Sequence, residues 1–334
     1  MIIKPGDLPK IRNTFNRKED DKMKVFKKIF VLLILLVGLT GLIGCQNTNI
    51  PGSDNNDPEP GTKEFIIKSI DNYLDTILNK RKHEYLKVEE EKLVYNHEYV
   101  AAINLLSKTN YDIKRTDILS KEIVETYINN ETEITSAGEA FKTMVIAKAY
   151  DIEIPTTVIE YVKNLEGPLA LWDYSNAAHV LRETKNNATL EQAIKDAIPT
   201  IDKEEYFDAD TAAMIIAAIN NYNLDIKHIL NVIKSKTVSG GVLGWDDEVS
   251  SMSTSVVMIG LLANGMDITV KDKDENDVNL YDQLLKFIDM REAAFKNKLT
   301  DAEVSNDMAT PQAFAALAVY RAYLLSNKKV DLFH

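Results

Sequence analysis

Four aspartates lie in two pairs whose spacing could serve acid-base chemistry. Asp208 and Asp210 form one pair, and Asp246 and Asp247 form the other. Hydrolysis of a glycosidic bond needs two carboxylates facing each other across a cleft, about 5 Å apart for retention and roughly 6.5 to 9.5 Å apart for inversion. The pairs therefore predict a hydrolytic site if the fold brings one against the other. Aspartate is also a good helix N-cap, which requires no catalysis.

The cysteine content excludes several other chemistries. Cys45 is the only cysteine, so no disulfide can form within the chain, and no further thiolate is present for zinc or nucleophilic catalysis. His179 lies in an alanine-rich segment, where a satisfied core histidine is commoner than a metal ligand. We therefore predict neither a metal nor a cofactor.

One acidic segment has part of the spacing of a calcium loop. Asp272, Asp274 and Asn276 stand at alternate positions. Asp277 occupies the place that calcium loops give to glycine, and Gln283 the place of the bidentate glutamate. A solvated loop is the better interpretation.

The elements that would position these residues form a repeat. Small-residue, aliphatic helices closed by an Asp-Ile pair are predicted at 100–113, 138–152, 210–226 and 251–268. The aspartates of the pairs are separated by 39, 74 and 42 residues, and 74 is two periods of 37. One unit, which contains Asn176 to Asn187, has therefore lost its marker.

Six units result, each with an alanine-rich helix and an amphipathic partner. The alanine-rich helices are predicted near 98–107, 138–149, 174–184, 210–222, 252–264 and 311–325. The partners are predicted near 64–79, 117–127, 155–164, 189–199, 226–236 and 279–291.

The fold class expected from this pattern is all-α. An open solenoid and a closed ring are both compatible with paired helices, but a solenoid needs polar capping repeats. Here the first amphipathic helix is the missing partner of the last alanine-rich helix. The pattern therefore favours an α/α toroid, with the small-residue helices in an inner ring and the amphipathic ones outside.

The first 63 residues are predicted to be targeting and tether. Lys22 to Lys28 precede an apolar run, 29–43, that ends in Leu42-Ile43-Gly44-Cys45 and resembles the lipobox of bacterial lipoproteins. An uncleaved anchor helix is the alternative, although fifteen residues are short for the roughly 20 that a span needs. We predict a leader at 1–44 with Met23 a possible true start, lipidation of Cys45, a flexible tether at 45–63, and a folded domain at 64–334. The lipid would hold the protein on the extracellular face of a bacterial cell membrane.

The charge of the mature chain limits its partners. Of the 39 Lys and Arg and 51 Asp and Glu in the whole chain, residues 45–334 keep 30 and 47, a net charge of −17. This balance disfavours nucleic acid and anionic phospholipid as partners.

Several stretches resemble the terpenoid-cyclase and protein-prenyltransferase superfamily. They are Asp210-Thr211-Ala212-Ala213, Ser253-Thr254-Ser255, Thr310 to Leu317, and the glycine-rich turn from Gly240 to Trp245. The resemblance covers roughly residues 64 to 327. It implies an α/α toroid of six helical hairpins, a fold that also includes cobalamin carriers of the transcobalamin type.

The chain departs from the active members of that superfamily. Ala209 stands where the class II cyclases have the proton-donating aspartate, and the domain lacks the cysteine that the zinc prenyltransferases and thioester proteins need. With these activities set aside, the resemblance implies that the fold acts as a carrier or receptor.

In such a toroid the inner helices run parallel, so their N-termini meet at one rim. Polar and aromatic residues near these N-termini are the predicted ligand-binding residues, and both tryptophans of the chain are among them. They are Trp172, Tyr174, Asn176, Asp208, Asp210, Thr211, Trp245, Asp246, Thr254, Thr310 and Gln312.

Two functions follow as expectations. The first is a lipid-anchored binding protein whose rim or cavity takes a small amphipathic molecule, corrinoid-like by resemblance, or a surface protein. The second is a surface glycan hydrolase or lyase that uses the aspartates at the same rim.

Overall fold

The computed structural model describes residues 58–130, 133–305 and 307–334. The expected leader, the lipobox with Cys45 and most of the tether lie outside the described residues. Within the described part, no helix combines the length and the apolar character that crossing a membrane requires.

The described chain is mainly helical, as the repeat predicts, and contains twelve α-helices. They are α1 (Lys63–Arg81), α2 (His97–Lys108), α3 (Lys121–Asn129), α4 (Ala137–Ala149), α5 (Thr156–Lys163), α6 (Asp173–Thr184), α7 (Ala188–Ala197), α8 (Ala209–Ala218), α9 (Lys227–Lys236), α10 (Ser251–Ala263), α11 (Leu280–Leu284) and α12 (Ala309–Ser326).

The six even-numbered helices are the alanine-rich ones, and they pack in cyclic order. Each packs on the next along the chain, from α2 through α10 to α12, and α12 packs on α2. The odd-numbered helices α3, α5, α7, α9 and α11 each pack on an even-numbered helix next to them in sequence. Helix α1 packs on α12, the helix at the other end of the chain, as the sequence predicts.

Burial explains why α10 and α12 lack a polar face. In α10, 11 of the 13 residues are buried, and in α12, 14 of the 18 are buried; the same core extends through all six even-numbered helices. The odd-numbered helices bury only one stripe, for example Val158 and Val162 in α5. A helix covered on all sides has no surface on which a charged residue can reach water, so small and apolar residues fill it.

A left-handed residue follows each even-numbered helix. Asn110, Asp151, Lys185, Asn223, Gly265 and Asn327 all have φ between 49° and 70°. This conformation turns the chain sharply at a helix C-terminus. Lys185 falls in the unit that has lost its Asp-Ile pair, so the structural repeat continues where the sequence marker is missing.

Short antiparallel hairpins, which the sequence analysis did not predict, precede three of the even-numbered helices. Strands β1 (Leu86–Glu89) and β2 (Lys92–Tyr95) lead into α2, β3 (Thr237–Val238), β4 (Gly241–Leu243) and β5 (Val249–Ser250) into α10, and β8 (Ile288–Asp289) and β9 (Ala294–Phe295) into α12. A fourth hairpin, β6 (Thr269–Lys271) with β7 (Asp277–Asn279), carries the acidic segment. There Asp272 accepts hydrogen bonds from the backbone of Asp274 and Asn276.

One local prediction was wrong. The helix expected at 279–291 ends at Leu284, and a 3-10 turn (Leu285–Phe287) and β8 follow it. Helix α7 is capped by Asn187, whose side chain accepts the Leu190 amide at 2.9 Å.

Candidate ligand-binding cavity

A narrow cavity of about 60 Å³ lies where the six even-numbered helices meet. Each of these helices contributes at least one lining residue, and the chain end contributes Phe333. The helix residues that line it are His97, Glu98, Phe141, Ser175, Asn176, His179, Ala213, Met214, Ala217, Val256, Ile259, Gly260 and Gln312.

The lining residues show which end of each helix borders the cavity. Glu98 is the second residue of α2, Phe141 the fifth of α4, Ala213 the fifth of α8, and Gln312 the fourth of α12. N-terminal halves of all six helices therefore converge there. The walls are largely apolar, with a few polar groups among them, which is the usual composition of a small-molecule site.

Two neighbouring helices, α2 and α12, supply a polar corner. The Gln312 amide nitrogen donates to Glu98 Oε1 at 3.3 Å. No described residue donates a hydrogen bond to Glu98 Oε2 or to Gln312 Oε1, although both oxygens are buried. His97 Nδ1 lies 3.0 Å from Glu98 Oε2 without completing a hydrogen bond, and burial lowers the pKa of His97. The corner therefore has two acceptors with unfilled capacity.

Aromatic rings form the other side of the cavity. Phe141 stacks on His179 with ring centroids 4.8 Å apart, and Phe333 packs edge-on against both rings. His179 Nδ1 lies 2.9 Å from His334 Nε2, and His334 in turn contacts Glu183. His179 is thus a buried core residue with a partner, as the sequence predicts, and burial lowers its pKa to about 3.

The segment after α12 is held in place by a polar cluster. Asp331 accepts from Arg182 Nη1 at 2.5 Å and from Asn220 Nδ2 at 2.8 Å, and the Val330 amide donates to Leu262 O at 3.0 Å. These bonds hold Val330 and Asp331 against α6, the turn after α8, and α10. Phe333 follows these residues and lines the cavity.

No protein-family model, curated protein or solved structure matches this chain.

Of the eleven predicted ligand-binding residues, Asn176 and Gln312 line the cavity. Thr254 and Thr310 are fully buried and hold a hairpin strand onto a helix instead. Thr254 Oγ1 accepts from the Val242 amide at 3.1 Å, and Thr310 Oγ1 accepts from the Phe295 amide at 2.9 Å. Each hydroxyl also donates to a backbone carbonyl, so its hydrogen-bonding capacity is used within the fold.

The aspartates are engaged locally. Asp208 caps α8 through the Thr211 amide at 2.8 Å, and Thr211 itself is buried. Asp246 forms an ion pair with Lys298, whose ammonium holds the pKa of that carboxyl below its usual range. Asp247 pairs with Lys236 at 2.6 Å.

Asp210 differs from these aspartates because one of its carboxylate oxygens is buried, although the residue as a whole is only half-buried. Its Oδ1 has no hydrogen-bond partner among the described residues. Burial raises its pKa to about 6, and the hydrogen bond from Ser253 only partly offsets that rise. Asp210 lies in the first turn of α8 and does not line the cavity; its hydrogen-bond partner Ser253 belongs to α10.

The aromatic residues of the predicted set lie outside the cavity. Trp172 is 54 % exposed and Trp245 is 87 % exposed, on the turns that lead into α6 and α10. Tyr174 borders a separate groove beside α7. Neither tryptophan is packed into the core.

Sequence reasoning missed several residues that form the cavity. Glu98, Met214 and Phe333 line it, and nothing in the helical periodicity marks them. Phe333 and His334 follow the last helix with no pattern around them. Among the described residues no group of three His, Cys, Asp or Glu side chains is placed to hold a metal ion.

Proposed function

We propose that this chain is a lipid-anchored, extracellular binding protein whose helices close into an α/α toroid and whose central cavity takes a small amphipathic ligand. The observation that carries the proposal is a single cavity bordered by all six alanine-rich helices. Convergent walls of this kind give a ligand contact on every side, and a few polar groups fix its orientation.

The toroid is supported by the cyclic packing of the even-numbered helices. An extended stack of helical pairs would leave the first and last units apart, whereas here α12 packs on both α2 and α1. Side chains reinforce this junction. Arg321 Nε donates to Asp71 at 2.5 Å, and Arg81 donates to the Glu292 carbonyl at 2.7 Å.

Binding has more support than glycan hydrolysis. Hydrolysis would need one carboxylic acid and one carboxylate free to face the scissile bond. The candidate aspartates instead cap a helix, pair with lysines or are buried. The cavity is mainly apolar, which suits recognition of an apolar body.

The size of the cavity limits the ligand. An engineered cavity of roughly 150 Å³ holds benzene, so about 60 Å³ holds only the slender end of a molecule. A corrinoid-like ligand would have to lie across the rim near Trp172 and Trp245, with at most a side arm inside. The anchor through Cys45 and the location on the extracellular face rest on the lipobox-like segment alone.

A thermal-shift screen with a blocked cavity tests the proposal. We expect 1-pentanol, n-pentylammonium or both to raise the melting temperature of the purified protein. Met214→Trp, which fills the cavity, should abolish that shift, while Met290→Trp, an exposed position away from it, should keep it.

Corrinoids and cell-wall glycans belong in the same screen. Binding of either that survives Met214→Trp and is lost in Trp172→Ala and Trp245→Ala would place recognition at the rim and contradict the cavity proposal. Release of reducing sugar from a glycan would support the hydrolase instead.

A further inference from the structure

The polar corner of the cavity indicates the chemical class of the ligand. Glu98 and Gln312 lie side by side on α2 and α12, and both line the cavity. Gln312 is 9 % exposed, and the Glu98 side chain is 14 % exposed. Their polar atoms are thus largely removed from bulk water, so any hydrogen bond that they lack must come from a bound molecule or from trapped water.

The orientation of Gln312 follows from its neighbour. A carboxylate can only accept hydrogen bonds, so the amide must present its nitrogen to Glu98 Oε1, as the 3.3 Å contact has it. This leaves Gln312 Oε1 directed elsewhere. With Glu98 Oε2, it makes a pair of acceptors that no described residue satisfies.

Leaving these acceptor oxygens without a hydrogen-bond donor lowers the stability of the folded protein. A buried acceptor without a donor loses the hydrogen bonds it had in water, and the loss is larger for an ionised group. The neighbouring His97 does not complete a bond to Oε2, and burial lowers its pKa, so it does not supply a compensating positive charge. The nearby cation, Lys142, is exposed on α4.

Donor-rich cations match this corner, and anions do not. A primary ammonium has three N–H donors and no acceptor, so it can donate to acceptors of this corner and place its positive charge beside the Glu98 carboxylate. An anion would bring more acceptors to oxygens that already lack donors. The apolar walls of Phe141, Met214 and Ile259 would then hold an unbranched alkyl chain.

We propose that the cavity binds a primary alkylammonium group, with the ammonium held by Glu98 and Gln312 and the alkyl chain between the helices. This inference rests on the proposed function, because it names the ligand class of the same cavity. The group has two sources of equal chemistry, a free small amine or the side chain of a lysine in a peptide.

The test compares two probes of nearly equal shape by calorimetry. The cation n-pentylammonium should bind at least about 10-fold more tightly than 1-pentanol, since hydrogen bonds to a charged group exceed neutral ones by that order. In Glu98→Gln, which keeps the shape and removes the charge, this preference should fall to within about 3-fold. Gln312→Met should likewise weaken binding of n-pentylammonium more than binding of 1-pentanol. This variant provides the test if Glu98→Gln does not fold.

A matched control is available on the next helix in the cycle. Glu139 occupies the first turn of α4, as Glu98 does in α2, but its carboxylate accepts from Thr135 and it does not line the cavity. Glu139→Gln should keep the full preference for the ammonium. Equal loss in Glu139→Gln would mean that the general acidity of the surface selects cations, which overturns the proposal.

The outcomes distinguish the preference for an ammonium group from ligand binding by the cavity in general. Equal affinity for the amine and the alcohol, both lost in Met214→Trp, would overturn the ammonium inference and leave the binding function intact. No binding of either probe would overturn both. Nα-acetyl-lysine amide and its Nε-acetyl derivative distinguish the sources: binding of the first and not of the second supports a lysine side chain, and binding of the free amine alone supports a small molecule.

Discussion

At the scale of single residues, Asp210 makes the sharpest prediction. Its pKa is raised to about 6 by burial, so folding favours the protonated form. The stability that comes with protonation is complete at a pH below the ordinary value near 3.8 and is lost as the pH rises through 6. A shift of this size amounts to about 2 to 3 kcal/mol.

We therefore expect Asp210→Asn to gain stability over the parent by about 2 to 3 kcal/mol between pH 4 and pH 7, because an amide cannot ionise. Urea unfolding at four pH values in that range measures the difference. Ser253→Ala is the control in the opposite direction, since it removes the hydrogen bond that opposes the shift and should steepen the pH dependence. A difference that stays constant with pH would contradict the burial of this carboxylate.

The buried histidines act in the opposite sense. The pKa of His179 is lowered to about 3 and that of His334 is also lowered, in each case mainly by burial. Folding therefore favours their neutral forms, and the stability they contribute is present above the unfolded pKa near 6.5 and is lost as the pH falls below it. Ionisation of Asp210 therefore lowers the stability of the native state as the pH rises, and the two histidines lower it as the pH falls.

At the scale of elements, helices α8 and α10 approach each other closely at Gly260. A Cβ added at Gly260 would stand 2.6 Å from the Ala213 carbonyl oxygen and 3.0 Å from its Cα. The backbone cannot give way as a flexible side chain could, so the two helices would have to separate. Gly260 and Ala213 both line the cavity, so this contact is also part of its wall.

Gly260→Ala is expected to destabilise the protein by about 1 to 3 kcal/mol, the usual cost of overpacking, despite the better helix propensity of alanine. Gly138→Ala is the matched control, because its nearest neighbour would be Asn176 at 3.6 Å. That variant should be neutral or stabilised by up to about 1 kcal/mol. Thermal or urea unfolding of the pair gives the result, and equal effects at the two positions would argue against the close approach.

The sequence predicted the helices well, but it did not predict the hairpins or most of the cavity lining. Alternation of small-residue and amphipathic helices placed nearly all helices close to their observed bounds, because a fully covered helix and a half-covered one demand different residues. The hairpins escaped notice because strands of two to four residues carry little periodicity. Asn176 and Gln312 were predicted, but most of the cavity lining was not. Glu98 resembles an ordinary first-turn residue of a helix until packing brings α2 against α12, and Phe333 reaches the cavity through tertiary contacts alone.

At the scale of the whole molecule, the junction between the first and last units decides whether the helices act as one body. Arg81 is 8 % exposed and donates to the carbonyls of Glu292 and Ala293 at 2.9 and 3.1 Å, beside an ion pair with Glu84 at 2.7 Å. Lys80 reaches the same segment from a largely exposed position. The two adjacent residues therefore form a matched pair, one buried and one not.

We expect Arg81→Met to lower stability by about 2 to 4 kcal/mol, because it leaves buried carbonyls and a carboxylate without donors. Lys80→Met should cost less than about 1 kcal/mol. If the helices form a closed ring, the unfolding transition of Arg81→Met should shift equally whether it is monitored by tryptophan fluorescence or by circular dichroism. Trp172 and Trp245 lie far from the junction in sequence, so their fluorescence reports on units other than those at the junction. Two separated transitions in Arg81→Met would indicate an open array of units.

The proposed ligand would occupy the space bordered by the six alanine-rich helices. Methyl-labelled methionines test it directly, because Met214 lines the cavity whereas Met144 and Met258 are fully buried and do not. On addition of n-pentylammonium to the purified protein, we predict NMR cross-relaxation between the alkyl protons and the Met214 methyl group, and none to Met144 or Met258. Cross-relaxation confined to the indoles of Trp172 and Trp245, or no cross-relaxation with any residue, would contradict binding in the cavity.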